Sequence, residues 1–177
     1  MYIFNLKKKK MKFTEFLRLN ESTHTAQPLD KDDLLRIIKD TIDKDGPKCD
    51  LNFIDTQYID DMSHLFEGSP FNGDISKWDT SNVTNMTSMF EKSKFNGDIS
   101  KWNTSKVKEM TRMFQDSKFD KDISKWDVRN VKNMEAMFAY SPFNKDISKW
   151  HLGSNTYIRE MFKDCPLENK PEFQCRK

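Results

Sequence analysis

Large apolar side chains recur along this chain at a constant interval of 24 residues. The longest rows begin at Met62, Leu65 and Phe66 and extend over five units. Three further rows share the step: Trp78, Trp102, Trp126 and Trp150; Phe71, Phe95, Phe119 and Phe143; Ile75, Ile99, Ile123 and Ile147. A strict period without insertions is typical of a solenoid, in which each unit stacks on a similar neighbour. The array is predicted to span residues 47–168.

One unit reads FNGDISKWDTSNVTNMTSMFEKSK, residues 71–94. DISKW predicts a short strand-like segment with Ile and Trp on its apolar side. The following DTSN predicts a turn, because Asp, Ser and Asn side chains bond their own backbone there. TSMFEKS predicts about one turn of helix. The expected fold class is therefore an α/β repeat solenoid of about five coils, with short strands and one-turn helices. At a strand spacing of about 4.7–4.9 Å it forms a rod about 25 Å long.

The ends of such a rod need caps, and residues 30–46 predict an amphipathic helix at the amino-terminal end. Asp30 is a suitable N-cap with Asp33 three residues later. Gly46 and Pro47 end the helical pattern. An apolar face at helical spacing contains Leu34, Leu35, Ile37, Ile38 and Ile42. We expect this helix to cover the first coil; a partner-binding helix is the alternative. Outside the helix and the array, residues 1–29 are predicted to form a flexible basic arm or targeting segment. Residues 169–177 are predicted to form a carboxyl-terminal tail.

Charge is distributed unevenly along the 177 residues, whose net charge is +2. Residues 1–20 carry +5 and residues 21–45 carry −3, so the remaining residues sum to zero. A neutral repeat body argues against nucleic-acid binding, which requires a basic surface. No apolar run approaches the roughly 18–20 residues that span a bilayer.

Motifs for catalysis or cofactor binding are absent from the sequence. There is no phosphate-binding glycine loop, no metalloprotease helix motif and no nucleophile elbow. His24, His64 and His151 fall in unrelated contexts, and the two within the array occupy slots of variable residue type. Cys49, Cys165 and Cys175 lack the spacing of a zinc site, and we interpret them as reduced thiols; a Cys165–Cys175 bridge is the alternative. We expect no enzyme activity, no cofactor and no metal.

The repeat FNGDISKWDTSNVTNMTSMF resembles the short repeats of BspA-like leucine-rich-repeat surface proteins. The segment CDLNFIDTQYIDDMSHLF, residues 49–66, resembles the entry to such arrays. The resemblance covers residues 30–168 and implies a leucine-rich-repeat-like solenoid that binds, often by adhesion to host proteins, without catalysis. The chain departs from surface members in having no signal peptide, lipobox or wall anchor. This favours a cytoplasmic or virion-associated location over classical secretion.

The segment MKFTEFLRLNE, residues 11–21, resembles capsid-targeting peptides of internal head proteins in T-even-type tailed phages. In that family a protease cuts after Leu/Ile-x-Glu, and Leu19-Asn20-Glu21 fits, which implies processing at Glu21. The alternative function is therefore a packaged internal or structural component of a phage particle.

Stacking of the units brings two rows of charged residues side by side. The candidate ligand-binding residues are Asp74, Lys77, Asp98, Lys101, Asp122, Lys125, Asp146 and Lys149. In one interpretation each Asp bonds turn amides while the lysines compensate its charge. In the other, the rows form a recognition surface or a weak calcium site. We expect a monomeric, non-enzymatic module that binds a protein or a surface polymer through this face.

Overall fold

The computed structural model describes residues 25–167. Within that range it has one helix, α1, Lys31–Asp45. The other regular pairing consists of single-residue parallel bridges, five of them between residues 24 apart: Asp50–Asp74, Asp61–Asn85, Asn85–Glu109, Glu109–Asn133 and Asn133–Tyr157. Where the sequence predicts a short strand and a one-turn helix in each coil, the described residues therefore contain isolated bridges and turns.

Helix α1 begins and ends at the residues that the sequence predicts. The Asp33 amide donates to Asp30 Oδ1 at 2.9 Å, which satisfies a free N–H of the first turn. Gly46 has φ 87° and its amide donates to the Ile42 carbonyl, so the helix ends in a conformation that suits glycine. The buried face of α1 contains Leu34, Ile37, Ile38 and Thr41. Its three apolar members belong to the same core as the first repeat unit.

The segment before α1 also pairs with the first unit. The Ala26 amide donates to the Phe53 carbonyl at 2.8 Å, and the Asp55 amide donates to the Ala26 carbonyl at 2.7 Å. Ala26 is only 1% exposed. The sequence assigned residues 1–29 to a flexible arm, but residues around Ala26 belong to the folded body, because this backbone pairs with the edge of the first unit.

Five repeat units follow α1, and the same backbone bonds join each unit to the next. We number them as unit 1, 47–70; unit 2, 71–94; unit 3, 95–118; unit 4, 119–142; and unit 5, 143–166. Between units 2 and 3, alternate amides donate at 2.8–2.9 Å: Met86 to Glu109, Ser88 to Thr111, Phe90 to Met113 and Lys92 to Gln115. The corresponding four bonds are present at each of the four unit interfaces.

The intervening amides of this segment bond within their own unit. Met89, Glu91 and Ser93 donate to the carbonyls three residues earlier at 3.2–3.3 Å. Bonds within the unit thus alternate along the chain with lateral bonds to the next unit. In a one-turn helix the amides that now donate to the next unit would instead donate to carbonyls of their own helix. This competition explains why the segment forms linked turns rather than the predicted helix.

The linked turns place two residues per unit in the left-handed region. Their φ values lie between 52° and 63°, and the positions are His64, Gly68, Ser88, Lys92, Arg112, Asp116, Ala136, Tyr140, Glu160 and Asp164. Left-handed non-glycine residues cost free energy locally. Here the four lateral hydrogen bonds at each interface stabilise that conformation.

The core consists of rows of identical side chains stacked through the units. Equivalent Phe rings from Phe66 to Phe162 lie 5.4–5.9 Å apart between centroids and within 9° of parallel. A second Phe row, starting at Phe71, has separations of 6.0–6.3 Å. Each Trp is 4–5% exposed, and its indole N–H donates to a carbonyl of the preceding unit. The Trp, Phe, Ile and Met rows are therefore buried, except that Ile158 and Phe162 in unit 5 are partly buried.

Candidate functional site

The predicted candidate residues are all exposed on the repeat units. We call them the Asp/Lys stripe, and its members are Asp74, Lys77, Asp98, Lys101, Asp122, Lys125, Asp146 and Lys149. The buried Ile and Trp rows lie beside them in sequence, so each DISKW segment buries its two apolar side chains and exposes its Asp and Lys.

Each Asp of the stripe also closes a turn in its own unit. Its Oδ1 accepts the amide of the Ser two residues later at 2.8–2.9 Å: Asp74 with Ser76, Asp98 with Ser100, Asp122 with Ser124 and Asp146 with Ser148. The turn-amide interpretation of the Asp row is therefore confirmed. A carboxylate needs only one oxygen for this bond, so the structural role is compatible with a ligand.

The turn bonds lower the pKa of the Asp row. For Asp98 and Asp122, the amide of the following Ser is the main cause, and nearby Lys charges act in the same direction. The Ser148 hydroxyl and amide lower the pKa of Asp146. Hydrogen bonds to a charged form favour that form, so these side chains are anionic at neutral pH.

These lowered pKa values predict that acid destabilises the fold. A carboxyl with a lowered folded-state pKa contributes stability above its unfolded pKa of about 3.9, and loses it as pH falls through the folded value. We expect the thermal midpoint, measured by circular dichroism, to fall as the pH is lowered below about 4. Asp98→Asn should reduce this dependence and keep the turn, because Asn103 accepts the Ser105 amide at 3.1 Å in a neighbouring turn.

Asp98→Ala removes the acceptor as well as the charge. It should lower the free energy of unfolding at pH 7 by about 0.5–1.5 kcal/mol relative to Asp98→Asn. Equal stabilities for the two variants would mean that the turn bond contributes nothing.

Two open depressions lie along the stripe between adjacent units. One, of about 400 Å³, is lined by Asp98, Ser100, Lys121, Asp122 and Lys125. The next, of about 270 Å³, is lined by Asp122, Ser124, Lys145, Asp146 and Lys149. The structure thus brings five of the eight predicted residues together in these two depressions. Asp74, Lys77 and Lys101 line neither of them.

Sequence reasoning missed Lys121 and Lys145, which complete the two depressions. Both occupy the slot that holds Gly73 in unit 2 and Gly97 in unit 3. The signal was present as a Gly-to-Lys change in an otherwise regular pattern. Lys145 pairs with Asp120 at 2.7 Å between Nζ and Oδ2.

Asp120 belongs to another row of polar residues, which forms hydrogen bonds between the units. Side-chain oxygens of Asn72, Asn96 and Asp120 accept the amides of Asn96, Asp120 and Asn144 at 2.8–2.9 Å. The row therefore fixes the register of neighbouring units, and its acceptors are used within the fold.

The other groups considered in the sequence are dispersed. His64 Nδ1 lies 2.6 Å from Glu67 Oε2, and both side chains are about half exposed. Cys49 and Cys165 are free thiols, and burial is the main cause that raises the pKa of Cys49. Among residues 25–167, no group of three or more His, Cys, Asp or Glu side chains is placed to hold a metal ion. Glu21 and Cys175 lie outside the described residues.

Within residues 25–167, no helix is both long and apolar enough to cross a bilayer.

The periodic contacts, the rows of stacked side chains and the repeated exposed stripe define a repeat protein built from 24-residue units. The model of a family described as "Mycoplasma protein of unknown function, DUF285" matches residues 44–141 and residues 115–171. The matches span more than half of the chain, which therefore belongs to this family, a repeat family of the BspA-like type. No curated protein and no solved structure matches the chain.

Proposed function

We propose that the chain is a non-enzymatic binding module that attaches to a protein or polymer of a cell surface through the Asp/Lys stripe. The observation that carries this proposal is that apolar and charged side chains have separate roles within each unit. Large apolar side chains are used in the core, whereas charged side chains are repeated on one exposed face. Repeat arrays present extended surfaces of this kind to their ligands.

The proposed architecture is a leucine-rich-repeat-like α/β solenoid of five coils, capped by α1 at its amino-terminal end. Its support is the constant offset of the lateral hydrogen bonds, which join residue i to residue i+23 at every interface. Apolar residues of α1 and of unit 1 share one core, which supports the capping role. Membership of a BspA-like repeat family adds support for the class of fold.

The proposal of no catalysis rests on the dispersed chemistry of the described residues. His64 and His151 are exposed and belong to different units. The free Cys49 and Cys165 are also in different units, at opposite ends of the array. A binding role needs none of these groups to act together.

Charge reversal within the stripe tests the proposal. Lys101→Glu with Lys125→Glu should reduce co-sedimentation of the labelled chain with intact cells by at least about tenfold, because it replaces two cations of the proposed contact with anions. The probes are cells of the source organism and, separately, a mammalian epithelial line. Both lysines are exposed, so the thermal midpoint should change little.

The matched control is Lys108→Glu with Lys132→Glu. These lysines are equally exposed but occupy another slot of units 3 and 4, outside the stripe. The control has the same net charge as the test variant and should sediment like the wild type. Equal loss in the two variants would indicate nonspecific attraction. Wild-type behaviour of the Lys101/Lys125 variant would show that another face binds.

A further inference from the structure

The two depressions of the stripe are successive copies of one arrangement. Each is lined by two Lys, two Asp and one Ser, and Asp122 belongs to both. The lining of each therefore has no net charge but contains strong donors and strong acceptors. A ligand that extends along units 3 to 5 would meet the same set of groups at two successive unit interfaces.

One slot of the repeat changes from glycine to lysine along the array. Units 2 and 3 have Gly73 and Gly97 in that slot, and units 4 and 5 have Lys121 and Lys145. Both described depressions include one of these lysines. The two depressions therefore lie at unit interfaces whose carboxyl-terminal unit has lysine in this slot.

The residue types of the depressions are unlike those of a protein–protein interface. The central parts of such interfaces are enriched in aromatic residues, Met and Arg, and depleted in Lys, Asp and Ser. The exposed large apolar side chains among the described residues are Leu29, Tyr58, Tyr140 and Tyr157, and none lines either depression. A protein ligand would find no apolar anchor here.

A polymer of sugars has the complementary chemistry. Every hydroxyl both donates and accepts hydrogen bonds, so adjacent hydroxyls can donate to Asp and accept from Lys or Ser. Zero net charge in the lining matches a ligand without charge of its own, and open depressions repeated along an axis match a ligand that repeats.

From these observations we infer that the depressions between units 3 and 4 and between units 4 and 5 are adjacent subsites for a hydroxyl-rich polysaccharide. Lys121 and Lys145 distinguish these subsites from the remainder of the stripe. The inference rests on the proposed binding function and specifies the chemical class of its ligand.

The experiment is affinity electrophoresis of the full chain in native gels that contain a soluble polysaccharide. The neutral probes are dextran, yeast mannan and a galactan, and the carboxylated probes are hyaluronan and alginate. We expect at least one neutral polymer to retard the chain. Lys121→Gly with Lys145→Gly should weaken that retardation by about tenfold in apparent dissociation constant.

The replacement residues are chosen to preserve the fold, because other units already have them in the same slots. Lys145→Gly also removes the Lys145–Asp120 ion pair, so the stability of the variant must be measured. Gly occupies the Lys121 slot in two units, and Thr84 occupies the slot of Lys108. Lys108→Thr with Lys132→Thr therefore removes the same charge from another slot and should leave the retardation unchanged. Equal thermal midpoints of the two variants would exclude a difference in folding.

Three outcomes would overturn the inference: no retardation by any neutral polymer, equal loss in the test and control variants, or retardation by carboxylated polymers alone that added salt abolishes. The last would indicate general charge attraction. If the chain binds cells and that binding depends on Lys101 and Lys125 while every polysaccharide fails, the proposed function stands and only its ligand class is wrong.

Discussion

Trp102→Ala is expected to lower the free energy of unfolding by about 3–5 kcal/mol, the range for removal of a large buried aromatic side chain. Trp102 is 4% exposed and stacks between Trp78 and Trp126 at 6.4 and 6.5 Å. Its indole N–H donates to the Ile75 carbonyl at 3.2 Å. The substitution therefore leaves a cavity in mid-array and removes a hydrogen bond between units. Urea unfolding followed by circular dichroism measures the change.

Two variants separate the contributions to this effect. Trp102→Phe keeps an aromatic ring in the row and loses the indole donor, so it should be less destabilising than Trp102→Ala. Tyr58→Ala removes an aromatic side chain that is 75% exposed and should change stability by less than about 0.5 kcal/mol. A Trp102→Ala effect as small as that of Tyr58→Ala would contradict the stacked core.

Gly73→Ala is expected to destabilise the junction of units 1 and 2 by on the order of 3 kcal/mol. A Cβ at Gly73 would lie 1.9 Å from the Cys49 carbonyl oxygen, and this overlap requires the backbone to move. The Asp74 amide donates to the same carbonyl at 3.2 Å, so the movement would strain a bond between the units.

Gly97→Ala is the matched control, because it makes the same change in the next unit. At both glycines a Cβ would also lie 2.8 Å from the Phe ring two residues earlier, Phe71 or Phe95, so this overlap is common to the two variants. At Gly97, however, the nearest backbone atom of the preceding unit, the Gly73 oxygen, would be 3.2 Å away, and Lys121 and Lys145 occupy this slot in later units. We expect Gly97→Ala to be less destabilising than Gly73→Ala by at least about 1 kcal/mol in the same urea measurement. A reversed order of the two variants would show that the close approach at Cys49 is not limiting.

The core could be predicted from sequence because its buried positions hold large apolar side chains, which are recognisable by residue type. In units 2 to 5 the Trp and Ile rows and the Phe row that starts at Phe71 are all buried, and each of these units has the same large side chain in each row. The helix α1 was predictable for a similar reason, since Asp30, Gly46 and the apolar spacing act locally. These signals depend on residues that are close together in sequence.

The turn segment could not be predicted in the same way, because its conformation depends on the neighbouring unit. Ser88 and Lys92 have no intrinsic preference for the left-handed region, and nothing near them in sequence indicates it. Lateral hydrogen bonds to residues 23 positions away determine their conformation. A reading of local propensity therefore favours helix where the structure has linked turns.

The candidate site was predicted in part. The Asp/Lys rows could be predicted because DISKW recurs at a fixed interval, but the depressions depend on how two units meet. Lys121 comes from the slot of a glycine, where a search for repeated residues finds only a break in the pattern. Residues such as Lys121, which differ between units, distinguish one part of the array from another. A search for residues that repeat between units overlooks them.

The four unit interfaces use one set of lateral bonds at one offset, and this has a consequence for how the gene can change. In-frame loss of unit 3 would join Lys94 to Phe119 and present each donor of unit 2 with a carbonyl from the same slot of unit 4. Duplication of a unit would do the same in reverse. Recombination between its own repeats can therefore shorten or lengthen the protein, and move the lysine-bearing units relative to the helix, without requiring any new interface to evolve.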